Sequence, residues 1–339
     1  MQRCVRRCWI IFGGRHDYAV GAPGDGPLDS VHDALKRRGA DVLLLDQRQS
    51  AETTVVLQVG ASGRVSGHVD GPASTTDLDS VDALYLRPVE TERACGSGSP
   101  SDPVYLRAVA TDAAMITWAD VASTIVVNRP AAMAVNNSKP HQLRMIAACG
   151  FSVPDTLVTT DAVAVGRFLH RHHDVIYKST SGVRSIVSRL GPTRRDALED
   201  VANCPTQFQE YVPGADIRVH VVGDDILATE ICSKADDYRY ASRSNLDVAM
   251  VPIVLPEKVA AACRAMVHSM GLNVAGIDLR RTPDDKWYCF EVNPSPGFTF
   301  FEAATGQPIA ATIANFLLGY DDPEFQDPRC AEARGGMET

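Results

Sequence analysis

The most constraining stretch of this chain is an apolar strand that ends Phe290-Glu291-Val292-Asn293 and runs directly into Pro294-Ser295-Pro296-Gly297. In a strand, residues i and i+2 point to the same side. Glu291 and Asn293 therefore offer two oxygen donors in one direction, and the two prolines stiffen the exit. The preceding strand, read as Asn273 to Arg280, carries Asp278, which a hairpin would bring beside them. Three hard oxygen donors suit Mg2+, which keeps waters and shares nucleotide phosphates. A Glu-x-Asn alone would be the polar face of an exposed hairpin; the Pro-Gly exit and the Asp on the neighbouring strand favour a metal site.

Upstream, strands and helices alternate, which predicts an α/β chain. Its 339 residues suffice for two or three packed units. Residues 8–12 are an apolar run ended by Gly13-Gly14. Apolar positions 28, 31, 34 and 35 have helical spacing, with Gly39 at the stop, and Asp41 to Asp46 reads as a buried parallel strand. The strand Val81 to Leu86, a helix over Pro103 to Ala122 and a strand at Thr124 to Val127 complete an N-terminal unit over 1–125. Residues 59–80, rich in Gly, Ser, Thr and Asp, are expected to loop out, and 92–103 to form a mobile connector.

A second unit, 126–205, holds a helix from Lys139 to Cys149, a strand after Val153-Pro154 and a helix over Asp161 to His170. Two further strands, Asp174 to Lys178 and Arg184 to Leu190, flank Ser179-Thr180-Ser181-Gly182 and read as a flap. A third unit, 206–320, has strands at 207–212, 217–222 and 226–233, a helix over Pro256 to Met270, the two strands of the metal hairpin and a closing helix over Gly306 to Leu318. Residues 321–339 read as a loose tail.

Several function classes are excluded. The net charge of −9 argues against a nucleic-acid binder that works by neutralising phosphates. No apolar run approaches the roughly 18–20 residues of a membrane helix. The apolar segment behind the N-terminal arginines is only Cys8 to Phe12, too short for a secretory signal. The nine cysteines are scattered with no Cys-x-x-Cys, so they read as buried small hydrophobes in a reducing cytoplasm. His170, His172 and His173 sit at a helix end and read as a solvated cap interacting with the helix dipole.

Two lysines and a turn add to the metal hairpin. Lys139 lies at a helix start, where backbone N–H groups favour an anion. Lys178 ends an apolar strand before small residues that let backbone amides approach phosphate. In Phe208-Gln209-Glu210-Tyr211-Val212-Pro213-Gly214-Ala215-Asp216, the strand turning at Pro-Gly can read an adenine edge, and Asp216 can accept ribose hydroxyls. Residues 234–247 lack apolar period and hold Lys234, Arg239 and Arg243, a basic loop suited to clamping a carboxylate.

The order Lys139, Lys178 before a small-residue loop, Gln-Glu-Tyr-Val, Asp-Ile-Arg, Asp278 and Glu291-x-Asn293 resembles the ATP-grasp superfamily, over roughly residues 125–320. Within it, the chain is most similar to RimK-type glutamate ligases and to the graspetide (microviridin-like) peptide ligases. The resemblance implies an ATP-grasp fold behind an N-terminal pre-ATP-grasp α/β domain. It implies ATP phosphates on Lys139, Lys178, Ser181 and Gly182, adenine against Glu210 to Val212, and ribose on Asp216. Mg2+, or Mn2+ in its place, would sit on Asp278, Glu291 and Asn293. Asp237-Tyr238-Arg239 is similar to a family Asp-Phe-Arg segment. D-alanine ligases, more distant relatives, carry an Arg two residues before the metal Asp, where this chain has Gly276. The arginine facing the transferred phosphate is thus Arg239 or Arg218. Phe301-Glu302 through Thr305-Gly306-Gln307-Pro308-Ile309 is similar to a graspetide-ligase tail, and Tyr85-Leu86-Arg87-Pro88 to their Tyr-Arg-Arg-Pro. Arg243, Arg87, Ser295 and Gly297 are the substrate-side candidates.

The implied reaction activates a carboxylate as an acyl phosphate, releases ADP, and lets an amine, or less often a hydroxyl, displace phosphate. Substrate and acceptor are small molecules or peptides. A peptide macrocyclase is the alternative within the family; a kinase and a non-catalytic nucleotide-binding protein are the alternatives outside it. A homodimer is expected, with no nucleic acid or membrane partner.

Overall fold

The computed structural model describes residues 7–12, 26–72, 74–88, 99, 101–180, 187–191, 198–233 and 247–320. Of the residues singled out above, Ser181, Gly182, Lys234, Arg239 and Arg243 lie outside this set, as do the first strand of the flap's return, 184–186, most of the connector and the tail.

The N-terminal part begins with β1 (Arg7–Phe12), α1 (Gly26–Arg37) and β2 (Asp41–Asp46). It continues through β3 (Thr54–Val59), β4 (Val65–Asp70), β5 (Thr75–Asp77), β6 (Ala83–Arg87), α2 (Pro103–Val121) and β7 (Ile125–Val127). Four of these strands form a parallel sheet in the order β2-β1-β6-β7. The segment expected to loop out, 59–80, instead holds β4 and β5, which pair with β3 in an antiparallel three-stranded sheet, β3-β4-β5. Its strands are half-exposed, and Ser66, Gly67, His68 and Asp70 hide the alternation that marks a strand. Gly67 adopts φ of 158°, and a Cβ there would meet the Val56 carbonyl oxygen at 1.9 Å, so the glycine serves close approach of β3 rather than a loop.

The middle part holds α3 (Lys139–Ala148), β8 (Thr156–Thr159), α4 (Ala162–His172), β9 (Val175–Ser179), β10 (Ser188–Arg189) and β11 (Thr206–Glu210). Its sheet runs β10-β9-β11-β8. The last part holds β12 (Ala215–Val222), β13 (Asp225–Ser233), β14 (Val248–Ile253), α5 (Glu257–Ser269), β15 (Val274–Arg281) and β16 (Trp287–Asn293). These strands form an antiparallel sheet, β14-β13-β12-β15-β16. The closing helix expected over Gly306 to Leu318 is α7 (Ile309–Leu317), and a further helix, α6 (Thr299–Thr305), precedes it and ends where Gly306 takes φ of 71°. That left-handed conformation ends α6 with little steric cost only in a glycine.

Alternation sorts the large sheet into two faces. Ile217, Val219, Val221, Ile277, Leu279 and Val292 pack with α3 and α5 in one core. On the opposite face, α6 and α7 lie against the sheet, and the Leu28, Val31, Ala34 and Leu35 side of α1 packs against Ile309, Ile313, Ala314 and Leu317 of α7. The first and last described helices thus share one core. On the other side of the N-terminal sheet, Met115, Trp118 and Ala119 of α2 cover Leu84, Leu86 and Val126. Among the described residues, no helix is long and apolar enough to cross a membrane.

Candidate active site

The polar face of the large sheet is organised by one short pattern used twice. Asp216-Ile217-Arg218 on β12 runs antiparallel to Asp278-Leu279-Arg280 on β15, and the register sets Asp216 opposite Arg280 and Arg218 opposite Asp278. Each pair closes. Arg218 Nη1 donates to Asp278 Oδ1 at 2.6 Å, and Arg280 Nε donates to Asp216 Oδ1 at 2.8 Å. Arg280 Nη1 also donates to the Val212 carbonyl at 2.7 Å. Arg218 is buried, with its guanidinium over the Phe301 ring at 5.8 Å.

Across the hairpin, Asp278 faces Glu291 and Gly276 faces Asn293. The candidate metal residues therefore share one face, as their spacing predicts. Lys139 Nζ donates to Glu291 Oε1 at 2.5 Å and to Asn136 Oδ1 at 2.7 Å. Burial works to raise the Glu291 pKa, but the charges of Lys139 and Lys178, the Lys139 hydrogen bond and Arg218 outweigh it and hold the carboxyl below its ordinary value. Lys139 and Lys178 are both buried. Three cations from α3, β9 and β12 thus converge on one glutamate.

A divalent cation fits this donor set. One oxygen each of Asp278 and Glu291 is held by a cationic side chain, which fixes the carboxylates in place. The Asn293 Oδ1 accepts the Ser295 N–H at 2.9 Å and, as a carbonyl oxygen, has a second lone pair. Among the described residues no group of three His, Cys, Asp or Glu side chains could hold a metal alone. Two carboxylates and an amide make a partial set of the kind completed by phosphate and water.

Two buried amides aim this hairpin. Gln142 of α3 donates to the Val292 carbonyl at 2.8 Å and accepts the Val292 N–H at 3.2 Å, between Glu291 and Asn293. Asn128 donates to the carbonyls of Val274 and Pro294, at 2.7 and 2.6 Å, and accepts the N–H groups of Asn273 and Val274. Neither stands out in the sequence. Arg87, at the end of β6, donates to the Pro296 carbonyl at 3.1 Å, which brings that substrate-side candidate to the loop of Ser295 and the exposed Gly297.

The segment assigned to adenine is more committed than the sequence suggests. The Glu210 N–H donates to the Asp155 carbonyl and the Tyr211 N–H to the Asp174 carbonyl, each at 3.0 Å, while the Val212 carbonyl takes Arg280. The Tyr211 ring lies under Arg189, 3.7 Å from its centroid. The Glu210 carboxylate accepts the Asp155 N–H at 3.0 Å. His172, expected as a solvated cap, is instead 14% exposed and bridges Asp155 Oδ2 at 2.7 Å and Glu210 Oε2 at 3.5 Å. Its position beneath Phe168, 4.5 Å between ring centroids, withdraws it from solvent.

His220, two residues beyond Arg218, is buried between Phe298 and Phe301. Burial, and then the Arg218 charge, push its pKa well below the ordinary value, so it is neutral. Cys263 and Cys289 are buried as expected, whereas Cys204 and Cys232 are exposed, and these four and Cys149 are free.

Residues 136–317 match the RimK-like ATP-grasp domain. The ribosomal protein bS6–L-glutamate ligase of Salmonella paratyphi B is 31% identical over 219 residues, covering 59% of this chain and 69% of that protein. Among solved structures, the macrocyclase MdnC bound with precursor peptide MdnA from Microcystis aeruginosa MRC superposes with a TM-score of 0.76 at 22% identity, over 92% of this chain and 99% of that one. The ATP-grasp ligase PsnB, complexed with minimal precursor, Mg and ADP, gives a TM-score of 0.71 at 26% identity, over 92% and 96%. The likeness therefore extends well beyond residues 125–320, into the N-terminal sheet.

Proposed function

As a member of the RimK-like ATP-grasp family, this chain is an ATP-dependent, ADP-forming carboxylate–amine ligase, and we propose that its carboxylate belongs to a peptide. The convergence of Lys139, Lys178 and Arg218 on Glu291 and Asp278 carries the catalytic reading. Phosphoryl transfer is catalysed chiefly by placing charge where charge develops, and no covalent nucleophile is needed.

In this reading Lys139 and Lys178 hold the ATP phosphates, with Ser181 and Gly182 of the flap. Val212 and Glu210 border adenine, and Asp216, set by Arg280, meets the ribose. ATP-grasp ligases use ATP and a divalent metal; Mg2+ is the ion proposed here, on Asp278, Glu291 and Asn293, where it would neutralise phosphate charge. Arg218 faces the transferred phosphate and the acyl phosphate formed from it. Arg239 is proposed beside it and Arg243 for the substrate acid. Arg87, Ser295 and Gly297 border the acyl side, where an amine displaces phosphate. The proposed boundaries are 1–125, 126–205 and 206–320, with a tail over 321–339, and the free cysteines support a cytoplasmic location.

The peptide reading is supported by the N-terminal region, which shares its architecture with enzymes solved in complex with precursor peptides. The test is ADP release with candidate peptides, with and without a free amine, alongside the mass of the peptide product. Loss of one water from the peptide indicates an internal link, and gain of an amino acid an external amine. A stable phosphorylated product formed without any amine would make the enzyme a kinase and overturn the ligase assignment.

A further inference from the structure

His220 is a buried titratable side chain to which the ligase reading gives no task. It lies on β12 two residues beyond Arg218, so alternation puts both on the polar face of the large sheet, while Ile217, Val219 and Val221 face the core. It is 1% exposed. Phe298 and Phe301 pack edge-on against its ring, with centroids 6.5 and 5.1 Å away. Its neighbours in the register, Gly276 and Leu227, offer no polar side chain, and its Nδ1 has no hydrogen-bond partner. A buried polar atom without a partner destabilises a fold, whereas a phenylalanine or leucine among these rings would not. Packing alone therefore does not favour a histidine at this position.

What the ring does meet is Arg218. Arg218 Nε donates to His220 Nε2 over a long 3.5 Å, while Nη1 donates to Asp278 Oδ1 at 2.6 Å. The guanidinium also lies over the Phe301 ring, 5.8 Å from its centroid. An arginine has only donors, so Nε2 is the bare acceptor and the ring is neutral, with its proton on Nδ1. Burial, then the Arg218 charge, favours that neutral form and outweighs the Gly297 backbone, which favours the charged one. Asp278 and His220 thus engage two different nitrogens of the guanidinium, and Phe301 lies against its face. Without the Nε contact, the group could turn about its bond to Asp278.

We propose that His220 is a positioning residue: by accepting from Nε it fixes the rotation of the Arg218 guanidinium and so aims it at the transferred phosphate. The inference rests on the reading that Arg218 faces that phosphate, and it adds the group that orients the arginine. A space-filling role would be served as well by an apolar side chain of similar size; the orienting role needs an acceptor at Nε2.

Titration calorimetry of the full chain with MgADP and with the magnesium complex of the non-hydrolysable analogue AMPPNP separates the two roles, because only the second nucleotide carries a third phosphate. In His220→Phe, which keeps a ring between Phe298 and Phe301, the Kd for MgADP should stay within about twofold of wild type and that for MgAMPPNP should rise about tenfold. His220→Leu should behave alike, and the urea midpoints of both should equal or exceed that of wild type. His220→Gln, which returns an acceptor, should recover most of the AMPPNP affinity. Arg218→Met should show the same selective loss, and adding His220→Phe to it should cost nothing more, because the histidine acts through the arginine.

Equal losses for the two nucleotides, no loss at all, no recovery in His220→Gln, or a full further loss on the Arg218→Met background overturns the proposal and leaves the phosphate reading of Arg218 standing. His220→Phe and His220→Leu that both fail to fold, or that melt well below wild type, make the histidine a structural residue and overturn it too. An Arg218→Met variant that binds both nucleotides as wild type does removes Arg218 from the phosphate, and the proposal falls with it.

Discussion

The Arg218 guanidinium occupies the space that a side chain on residue 276 would need: a Cβ on Gly276 would stand 2.1 Å from Arg218 Nη2 and 2.5 Å from its Cζ. The glycine two residues before Asp278 is therefore room for an arginine delivered from the neighbouring strand. This relationship favours Arg218 as the phosphate-facing cation. Gly276→Ala should displace the guanidinium from Asp278, with Pro296 Cβ at 2.8 Å blocking the other direction. We expect kcat for ADP release to fall roughly ten- to a hundredfold, with about 1–3 kcal/mol of overpacking cost. Steady-state kinetics and a urea melt test this together. Unchanged kcat would remove Arg218 from the phosphate site.

Glu291→Gln tests the centre of the charge cluster. From sequence alone, removing Glu291 should abolish turnover and leave the fold nearly intact. The Lys139 ion pair changes the second expectation, because Lys139 is buried and would lose its counter-charge. A stability loss of about 1–3 kcal/mol is expected beside the loss of turnover. Denaturant melts of Glu291→Gln alone and with Lys139→Met measure the coupling; additive effects would mean that the pair contributes nothing.

Arg280→Met should separate binding from chemistry. Arg280 holds Asp216 and the Val212 carbonyl on the nucleotide side and does not touch Asp278's partner Arg218 in the register. KM for ATP should rise about tenfold with kcat changed less than about threefold, the pattern of lost uniform binding. A fall confined to kcat would contradict the ribose and adenine assignment.

Asp155 carries the pH prediction. Burial works to raise its pKa, but hydrogen bonds and charge from His172 and Arg171 prevail and lower it. A lowered carboxyl contributes stability above its unfolded pKa and loses it as pH falls through the folded one. Carboxyl carbon shifts should show Asp155 titrating below the ordinary aspartate range, and His172→Leu should move that titration up. An unmoved midpoint would mean that His172 does not bridge the strand at Glu210.

Gln142→Leu keeps the side-chain volume close but removes both hydrogen bonds to Val292. Leaving that buried backbone unpaired should cost about 2–4 kcal/mol. Activity at low metal concentration should fall more than at high, because Glu291 and Asn293 flank Val292. Equal loss at all metal concentrations would limit Gln142 to a structural role.

What the sequence carried was local. Glu291 and Asn293 share a face because strand alternation is a fixed geometry. Asp216-Ile217-Arg218 was also legible, but Arg280 was not, since only the register of β12 and β15 shows that a second Asp-x-Arg answers the first. Gln142, Asn128 and His172 were not, because each acts through a partner more than fifteen residues away, and no local spacing encodes such a pairing. The β3-β4-β5 sheet is not legible in the sequence, since half-exposed strands with polar and glycine residues resemble loops. β14 is hidden for a similar reason: Val248 to Ile253 alternates, but follows a long polar segment and is only partly buried.

The packing of α1 against α7 bears on how the protein is made. Leu28, Val31, Ala34 and Leu35 leave the ribosome long before Ile309, Ile313 and Leu317. Each such side chain contributes roughly 1.5–3 kcal/mol on burial, against a total margin of about 5–15. The nascent N-terminal sheet must therefore wait, one flank uncovered, until both later sheets have been synthesised. A messenger truncated before the codon for Ile309 should yield a chain that chaperones hold and proteases clear, even though the whole hairpin that carries Asp278, Glu291 and Asn293 has already been translated.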